Sequence, residues 1–169
     1  MSSKDQKIFV VDERKCDGCR ECEKACSHKH FGVCSPRHSR IRIEAFGDGD
    51  LFVPVFCQAC GDPLCIKVCP MNARIELANG AVVTDEDRCI GCRTCVYICP
   101  VGAPVENPVS GKLMTCDRCA EDEELPLCVQ ACSKQQALRF VDARVVARTT
   151  ARECAARLKA AYKPPKVPE

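Results

Sequence analysis

The cysteines constrain this chain more than any other residue type. There are 18 of them among 169 residues, and sixteen fall into four groups of four. Groups one and three have the spacing C-x2-C-x2-C-x3-C, whereas longer gaps interrupt groups two and four. The groups are Cys16, Cys19, Cys22 and Cys26; Cys57, Cys60, Cys65 and Cys69; Cys89, Cys92, Cys95 and Cys99; and Cys116, Cys119, Cys128 and Cys132.

The start of the sequence bears on whether these thiols form disulfides. Residues 1–7 contain no apolar signal region and no twin-arginine pair, and the apolar run at residues 8–11 is too short to span a bilayer. We therefore expect a cytoplasmic protein without a membrane segment. Thiols stay reduced in that compartment, so this many cysteines indicate metal binding and not disulfides.

The spacing also distinguishes between metals. A structural zinc site takes four ligands from two separate pairs. Groups one and three instead crowd four thiols into eleven residues, and group three continues into Pro100. This is the spacing of bacterial ferredoxins, and a low content of aromatic residues (5%, with no Trp) leaves the fold in need of such cofactors. The sequence predicts four [4Fe–4S] clusters.

The ligands of each cluster are predicted to come from two groups. The first three cysteines of a group wrap one corner of a cube, and the fourth lies on the following helix and points to a neighbouring cube. Groups two and three both end in Cys-Pro and flank two short predicted strands around the Asn79-Gly80 turn. The predicted ligand sets are set A, Cys16, Cys19, Cys22 and Cys132; set B, Cys26, Cys116, Cys119 and Cys128; set C, Cys57, Cys60, Cys65 and Cys99; and set D, Cys69, Cys89, Cys92 and Cys95.

The predicted fold class is α+β, with two nested bacterial-type dicluster ferredoxin modules made of short hairpins and short helices. The double module covers residues 5–148: an inner module at about 50–103 lies within an outer module at about 5–49 and 104–148. We predict strands at residues 8–12 and 137–141 and a hairpin of residues 40–46 with 51–56. Residues 149–169 are predicted as a C-terminal helix, over 149–161, and a Pro-rich tail.

Charge and the missing motifs exclude several functions. The formal net charge is +2, but four thiolate-bound cubes add about −8, which disfavours nucleic-acid binding. No Ser/His/Asp set, phosphate loop or dinucleotide fingerprint is present in the sequence. Fully ligated cubes have no open position for a substrate. We expect a non-catalytic electron-transfer protein. A diffusible ferredoxin remains an alternative, whereas a redox sensor usually has an incomplete ligand set.

The four cysteine groups, over residues 8–142, resemble the four-cluster ferredoxin-like subunits of molybdenum and tungsten oxidoreductases, hydrogenases and carbon monoxide dehydrogenases. The stretch after group one is similar to the small polyferredoxin subunits of tungsten-dependent aldehyde oxidoreductases and to carbon monoxide dehydrogenase carriers. The residues of this similarity are Cys26-Ser27, His30, Gly32-Val33, Pro36 and Ser39-Arg40-Ile41. The resemblance implies a larger tungstopterin catalytic subunit as partner, with a flavin subunit as a second one. The alternatives to a tungstopterin partner are a carbon monoxide dehydrogenase, a hydrogenase or a formate dehydrogenase, or a free polyferredoxin without a fixed partner.

Three further residues could contribute to the sites. Cys34 and Cys154 lie outside the groups, and we expect both to be small buried apolar residues. His30 either donates a hydrogen bond to a cluster sulfur, which would raise the cluster potential, or is an ordinary loop histidine.

Overall fold

The elements of the fold are short and mixed, as predicted. The computed structural model describes residues 7–120, 125–132, 136–146, 151–152 and 155–156. Its helices are α1 (Glu21–Phe31), α2 (Leu64–Lys67), α3 (Thr94–Ile98) and α4 (Leu127–Ala131). Its strands are β1 (Lys7–Val11), β2 (Arg42–Phe46), β3 (Leu51–Val55), β4 (Arg74–Glu76), β5 (Val82–Thr84), β6 (Val105–Glu106), β7 (Leu113–Met114) and β8 (Leu138–Asp142).

The strands form two-stranded antiparallel sheets, and three of these join consecutive strands. The predicted hairpin before group two is β2–β3, with Arg42 opposite Val55 and Phe46 opposite Leu51. The predicted Asn79-Gly80 turn joins β4 to β5, and the Asn79 side chain accepts a hydrogen bond from the Ala81 N–H at 3.0 Å. The β6–β7 hairpin was not predicted, because two residues per strand leave no readable alternation.

The fourth sheet joins distant parts of the chain. Strand β1 pairs with β8, so that Lys7 lies opposite Asp142 and Val11 opposite Leu138. Helix α1 packs against α4, and α2 packs against α3. Segments next to groups one and four therefore meet, and so do segments next to groups two and three.

Helix α1 is the longest of the elements α1 to α4, and its ends have clear local signals. Glu21 and Glu23 occupy its first turn, and His28, Lys29 and His30 occupy its last turn, as the helix dipole favours. Gly32 follows in the left-handed conformation (φ +69°), and its N–H donates to the His28 carbonyl at 2.8 Å. This turn sends the chain away from the helix.

The apolar core is small and includes thiols. One cluster of buried residues contains Cys22, Ile41, Ile43, Phe56, Cys128 and Leu138. A second contains Cys57, Val82 and Ala103. Phe9 links strands β1 and β8 to this core, because its ring lies 4.8 Å from that of Phe56 and 4.7 Å from that of Phe140.

The C-terminal region is described only in part. Residues 143–146, 151–152 and 155–156 are helical. The rest of the predicted helix at 149–161, including Cys154, and the Pro-rich tail lie outside the described residues. Within the described ranges, no helix has both the length and the apolar character required to cross a bilayer.

Candidate metal centres

Each cysteine group begins with a Cys-x-x-Cys loop that turns through a left-handed residue. The second residue between the two cysteines has a positive φ in all four loops: Gly18 (+71°), Ala59 (+48°), Gly91 (+69°) and Arg118 (+61°). In groups one and four an aspartate closes the loop. Asp17 accepts a hydrogen bond from the Cys19 N–H at 3.1 Å, and Asp117 accepts one from the Cys119 N–H at 3.0 Å.

Three cavities are each lined by four cysteines, and in each the cysteines come from two groups. The first is lined by the thiols of set A together with Ile43 and Leu138. The second is lined by the thiols of set B, and the third by those of set D. The structure thus brings together residues that are more than a hundred positions apart, such as Cys22 and Cys132.

The thiols of set C also lie together. Burial is the main cause of the raised pKa of Cys60, and the charges of the nearby thiols of Cys57, Cys99 and Cys65 raise it further. Cys65 and Cys99 pack against the buried cluster that contains Cys57. Four separate thiol sets are therefore present, and the binding of one cube by each set stays a prediction.

Backbone N–H groups point at the sulfurs that end each group. Sγ of Cys26 accepts from Arg40 N at 3.3 Å, and Sγ of Cys69 accepts from Ala73 N at 3.2 Å. Likewise Cys99 accepts from Ala103 N at 3.3 Å and Cys132 from Leu138 N at 3.4 Å. Such donors stabilise a negatively charged sulfur and are one means by which proteins set cluster potentials.

Burial makes two of the thiols, Cys22 and Cys128, hard to ionise without a metal. Burial and the neighbouring Glu23 carboxylate raise the pKa of Cys22 to about 12. Burial first, and then the adjacent thiols, raise the pKa of Cys128 well above its ordinary value. A metal ligand must be a thiolate, and a cation supplies the charge that stabilises it. Four soft sulfur donors around one cavity, with N–H donors beside them, fit an iron–sulfur cube.

The predictions for His30 and Cys34 have different outcomes. His30 lines the set B cavity, and its Nε2 lies 3.5 Å from Oδ1 of Asp117. Its hydrogen bond to a cluster sulfur stays a prediction. Cys34 is exposed, so the prediction that it is buried was wrong. The left-handed turn at Gly32 directs the following residues to the surface, which the local sequence pattern did not indicate.

Sequence reasoning missed three buried charged residues next to the thiols. Glu23 is 2% exposed, and its Oε1 accepts from the Ile43 N–H at 2.7 Å. Arg74 is 4% exposed and donates to the Thr115 hydroxyl at 3.1 Å. Arg118 is 6% exposed. The one available signal was at Arg118, because a long side chain stands where the other loops have Gly or Ala.

The fold and the thiol sets define an iron–sulfur protein, and comparisons with known proteins agree. Residues 50–143 match the family described as "4Fe-4S dicluster domain", and residues 8–32 match "4Fe-4S binding domain". The chain belongs to the 4Fe-4S dicluster domain family of ferredoxin-like electron-transfer proteins, and it binds multiple [4Fe–4S] clusters. The prediction of an iron–sulfur electron-transfer protein is therefore confirmed.

Three relatives illustrate the range of the family. The chain is 39% identical to the "Probable anaerobic dimethyl sulfoxide reductase chain YnfG" of Escherichia coli, over 73% of this chain and 68% of that protein. It is 38% identical to the "Aliphatic sulfonate oxidoreductase, polyferredoxin-like subunit" of Pyrococcus furiosus, over 86% and 84%. It is 34% identical to the "Putative electron transport protein YsaA" of Escherichia coli, over 87% and 97%.

Proposed function

We propose that this chain is the electron-transfer subunit of an oxidoreductase complex and binds four [4Fe–4S] clusters, one in each of the sets A to D. The observation that supports this most directly is that each thiol set combines cysteines from two groups around its own site. When bound, the clusters supply one-electron redox chemistry. The protein supplies thiolates, N–H donors to sulfur and a partly apolar surrounding.

We propose that the clusters lie in two nested modules. The inner module, about residues 50–103, would bind the clusters of sets C and D, and the outer module, about 5–49 with 104–148, those of sets A and B. Three contacts support this arrangement: the β1–β8 pairing, the packing of α1 on α4 and the packing of α2 on α3. In each case the two elements belong to the same proposed module.

The contact between the modules suggests the order of the clusters. Cys116 of set B packs against the buried cluster of Cys57, Val82 and Ala103, and Cys57 belongs to set C. Within a module the two sets share their cysteine groups, so they are neighbours. The proposed order is therefore A, B, C and D, with sets A and D at the two ends.

The partner proposed first is a large tungstopterin subunit that oxidises aldehydes, with a flavin subunit or another acceptor at the far end. It rests on the resemblance around His30 and on the polyferredoxin-like relative from Pyrococcus furiosus. A second candidate is a catalytic subunit that reduces an oxidised sulfur compound. The printed names of the sulfoxide reductase and sulfonate oxidoreductase relatives favour it.

Metal analysis tests the number of clusters. Anaerobically purified protein should contain about sixteen iron and sixteen sulfide ions per chain, four of each per cube. About eight iron atoms, or zinc as the main metal, would contradict four clusters.

Anaerobic pull-down of the tagged chain from native extract, followed by metal and activity analysis, tests the partner. Recovery of a tungsten-containing subunit that oxidises aldehydes is the expected result. A subunit active on sulfoxides or sulfonates would favour the second candidate, and a nickel carbon monoxide dehydrogenase or a hydrogenase would exclude both. Recovery of the chain alone would favour a diffusible ferredoxin.

A further inference from the structure

Arg118 occupies a backbone position that suits glycine. It is the second residue between Cys116 and Cys119, and its φ is +61°. The equivalent residues in the other loops are Gly18, Ala59 and Gly91. A long side chain in the left-handed conformation costs free energy that glycine avoids, and such strain persists where the side chain has a function.

The Arg118 side chain is buried between the two proposed modules. Its Nη1 donates to the Asn79 carbonyl at 2.9 Å, in the turn between β4 and β5. Its guanidinium lies 5.9 Å from the ring centroid of Phe140 on β8. Nε has no hydrogen-bond partner among the described residues, although the residue is only 6% exposed. The side chain therefore contacts elements of both modules.

The guanidinium also lies near thiols of two ligand sets. Cys116 of set B, two residues before Arg118, packs against the buried cluster that contains Cys57 of set C. Burial lowers the pKa of Arg118, and the negative charges of the Cys116 and Cys57 sulfurs oppose this shift. The carboxylate of the adjacent Asp117 already pairs with another cation, because its Oδ2 accepts from Arg40 at 2.6 Å. Asp117 therefore does not neutralise the charge of Arg118. The Arg118 N–H itself donates to Sγ of Cys116 at 3.4 Å.

We propose that Arg118 holds a fixed positive charge between the clusters of sets B and C and raises the reduction potentials of both. Reduction adds one electron to a cube that is already negative, so a nearby cation in a medium of low dielectric constant stabilises the reduced form. The positive charge therefore favours an electron on the cluster of set B or on that of set C, which lie on the two sides of the contact between the modules. The inference rests on the cluster sites and the cluster order proposed above.

Redox titration monitored by electron paramagnetic resonance tests this on the cluster-loaded full chain. Arg118→Gly removes the charge and suits the backbone, so the variant should retain its clusters. Two of the four midpoint potentials, those of the clusters in sets B and C, should each fall by about 59 mV. For a one-electron reduction, this corresponds to a tenfold change in the equilibrium constant. Arg118→Lys retains a positive charge and should give a smaller shift. Arg139→Gln removes the same charge from an exposed position on β8 and should leave the potentials unchanged.

Three results would overturn the proposal. The first is unchanged potentials in a fully loaded Arg118→Gly protein. The second is an equal shift in Arg139→Gln, which would reflect net charge alone. The third is loss of iron from Arg118→Gly, which would assign Arg118 to cluster retention. The iron content and the number of reducible centres in the unmodified chain test the cluster sites separately.

Discussion

At the scale of single residues, nearness in sequence does not decide which thiols a cysteine meets. Cys99 follows α3, which contains Cys95, yet its thiol lies beside that of Cys60. The turn after α3 explains part of this, because Ala103 N donates to Sγ of Cys99 at 3.3 Å. Substitution of Cys99 therefore tests the ligand sets directly.

Cys99→Ser should damage the cluster of set C and spare that of set D, although Cys89, Cys92 and Cys95 are its neighbours in sequence. We expect about four fewer iron atoms per chain if the cube is lost. Metal analysis and the resonance spectrum of the reduced protein measure this. Cys34→Ala is the control and should retain all clusters, because Cys34 belongs to none of the sets A to D and lines none of the three cavities. A density map with Cys99 on the same cube as Cys89 would refute set C.

The buried carboxylate of Glu23 provides a second test at this scale. Its Oε1 is the acceptor for the Ile43 N–H at 2.7 Å, so Glu23→Ala leaves that buried N–H without a partner. The cost is about 1–3 kcal/mol. Glu23→Gln retains a carbonyl acceptor and should cost less. The rate of cluster loss at one elevated temperature, followed by absorbance, compares the two. Equal rates would show that this hydrogen bond contributes little.

At the scale of elements, the ligand loops share one backbone turn in different surroundings. Gly18 and Gly91 have similar φ values of +71° and +69°. A Cβ on Gly18 would lie 2.5 Å from the Phe52 ring on β3, whereas one on Gly91 would lie 3.5 Å from the Gly111 carbonyl. Substitutions at these two glycines therefore distinguish the cost of backbone strain from the cost of a steric clash.

Gly91→Ala should destabilise the loaded protein only through backbone strain, at about 1–2 kcal/mol. Gly18→Ala should cost more, because the Phe52 ring must also move. The temperature at which the cluster absorbance is lost shows which of the two variants is less stable. Gly18→Ala combined with Phe52→Ala should cost less than the sum of the two single substitutions. Additive effects would exclude the clash as the cause.

At the scale of the whole molecule, the folded state depends on its cofactors. The sheets have two strands each, and isolated two-stranded sheets are marginal in water. Both buried clusters contain cysteines, so part of what serves as core consists of prospective cluster ligands. Without metal, the thiols of Cys22 and Cys128, whose pKa values burial raises, stay protonated at neutral pH and connect no segments of the chain.

Removal of iron should therefore unfold the chain. We expect an anaerobically chelated sample to lose its cooperative thermal transition, because metal binding and folding are one event in small domains of this kind. Differential scanning calorimetry and circular dichroism of loaded and iron-free protein check this. Reconstitution with iron and sulfide is the control and should restore the transition. A cooperative transition in the iron-free protein would contradict the prediction.

Several features of the protein depend only on local spacing, so they could be predicted from the sequence. The Cys-x-x-Cys loops, the Asn79-Gly80 turn and the β2–β3 hairpin follow from residues a few positions apart, and the alternation or turn residues were readable. The spacing also predicted the composition of sets A to D. The structure brings these same thiols together, whereas their ligation of clusters and the nested modules remain predictions.

The surroundings of the thiols, in contrast, depend on tertiary contacts. The pairing of β1 with β8, the burial of Glu23 and Arg118 and the exposure of Cys34 all depend on segments that are distant in sequence or on the direction of a single turn. A ligand's spacing is set by the covalent geometry of a short loop. The charges and donors that act on a cluster reach it through space from elsewhere in the chain, so no local pattern in the sequence specifies them.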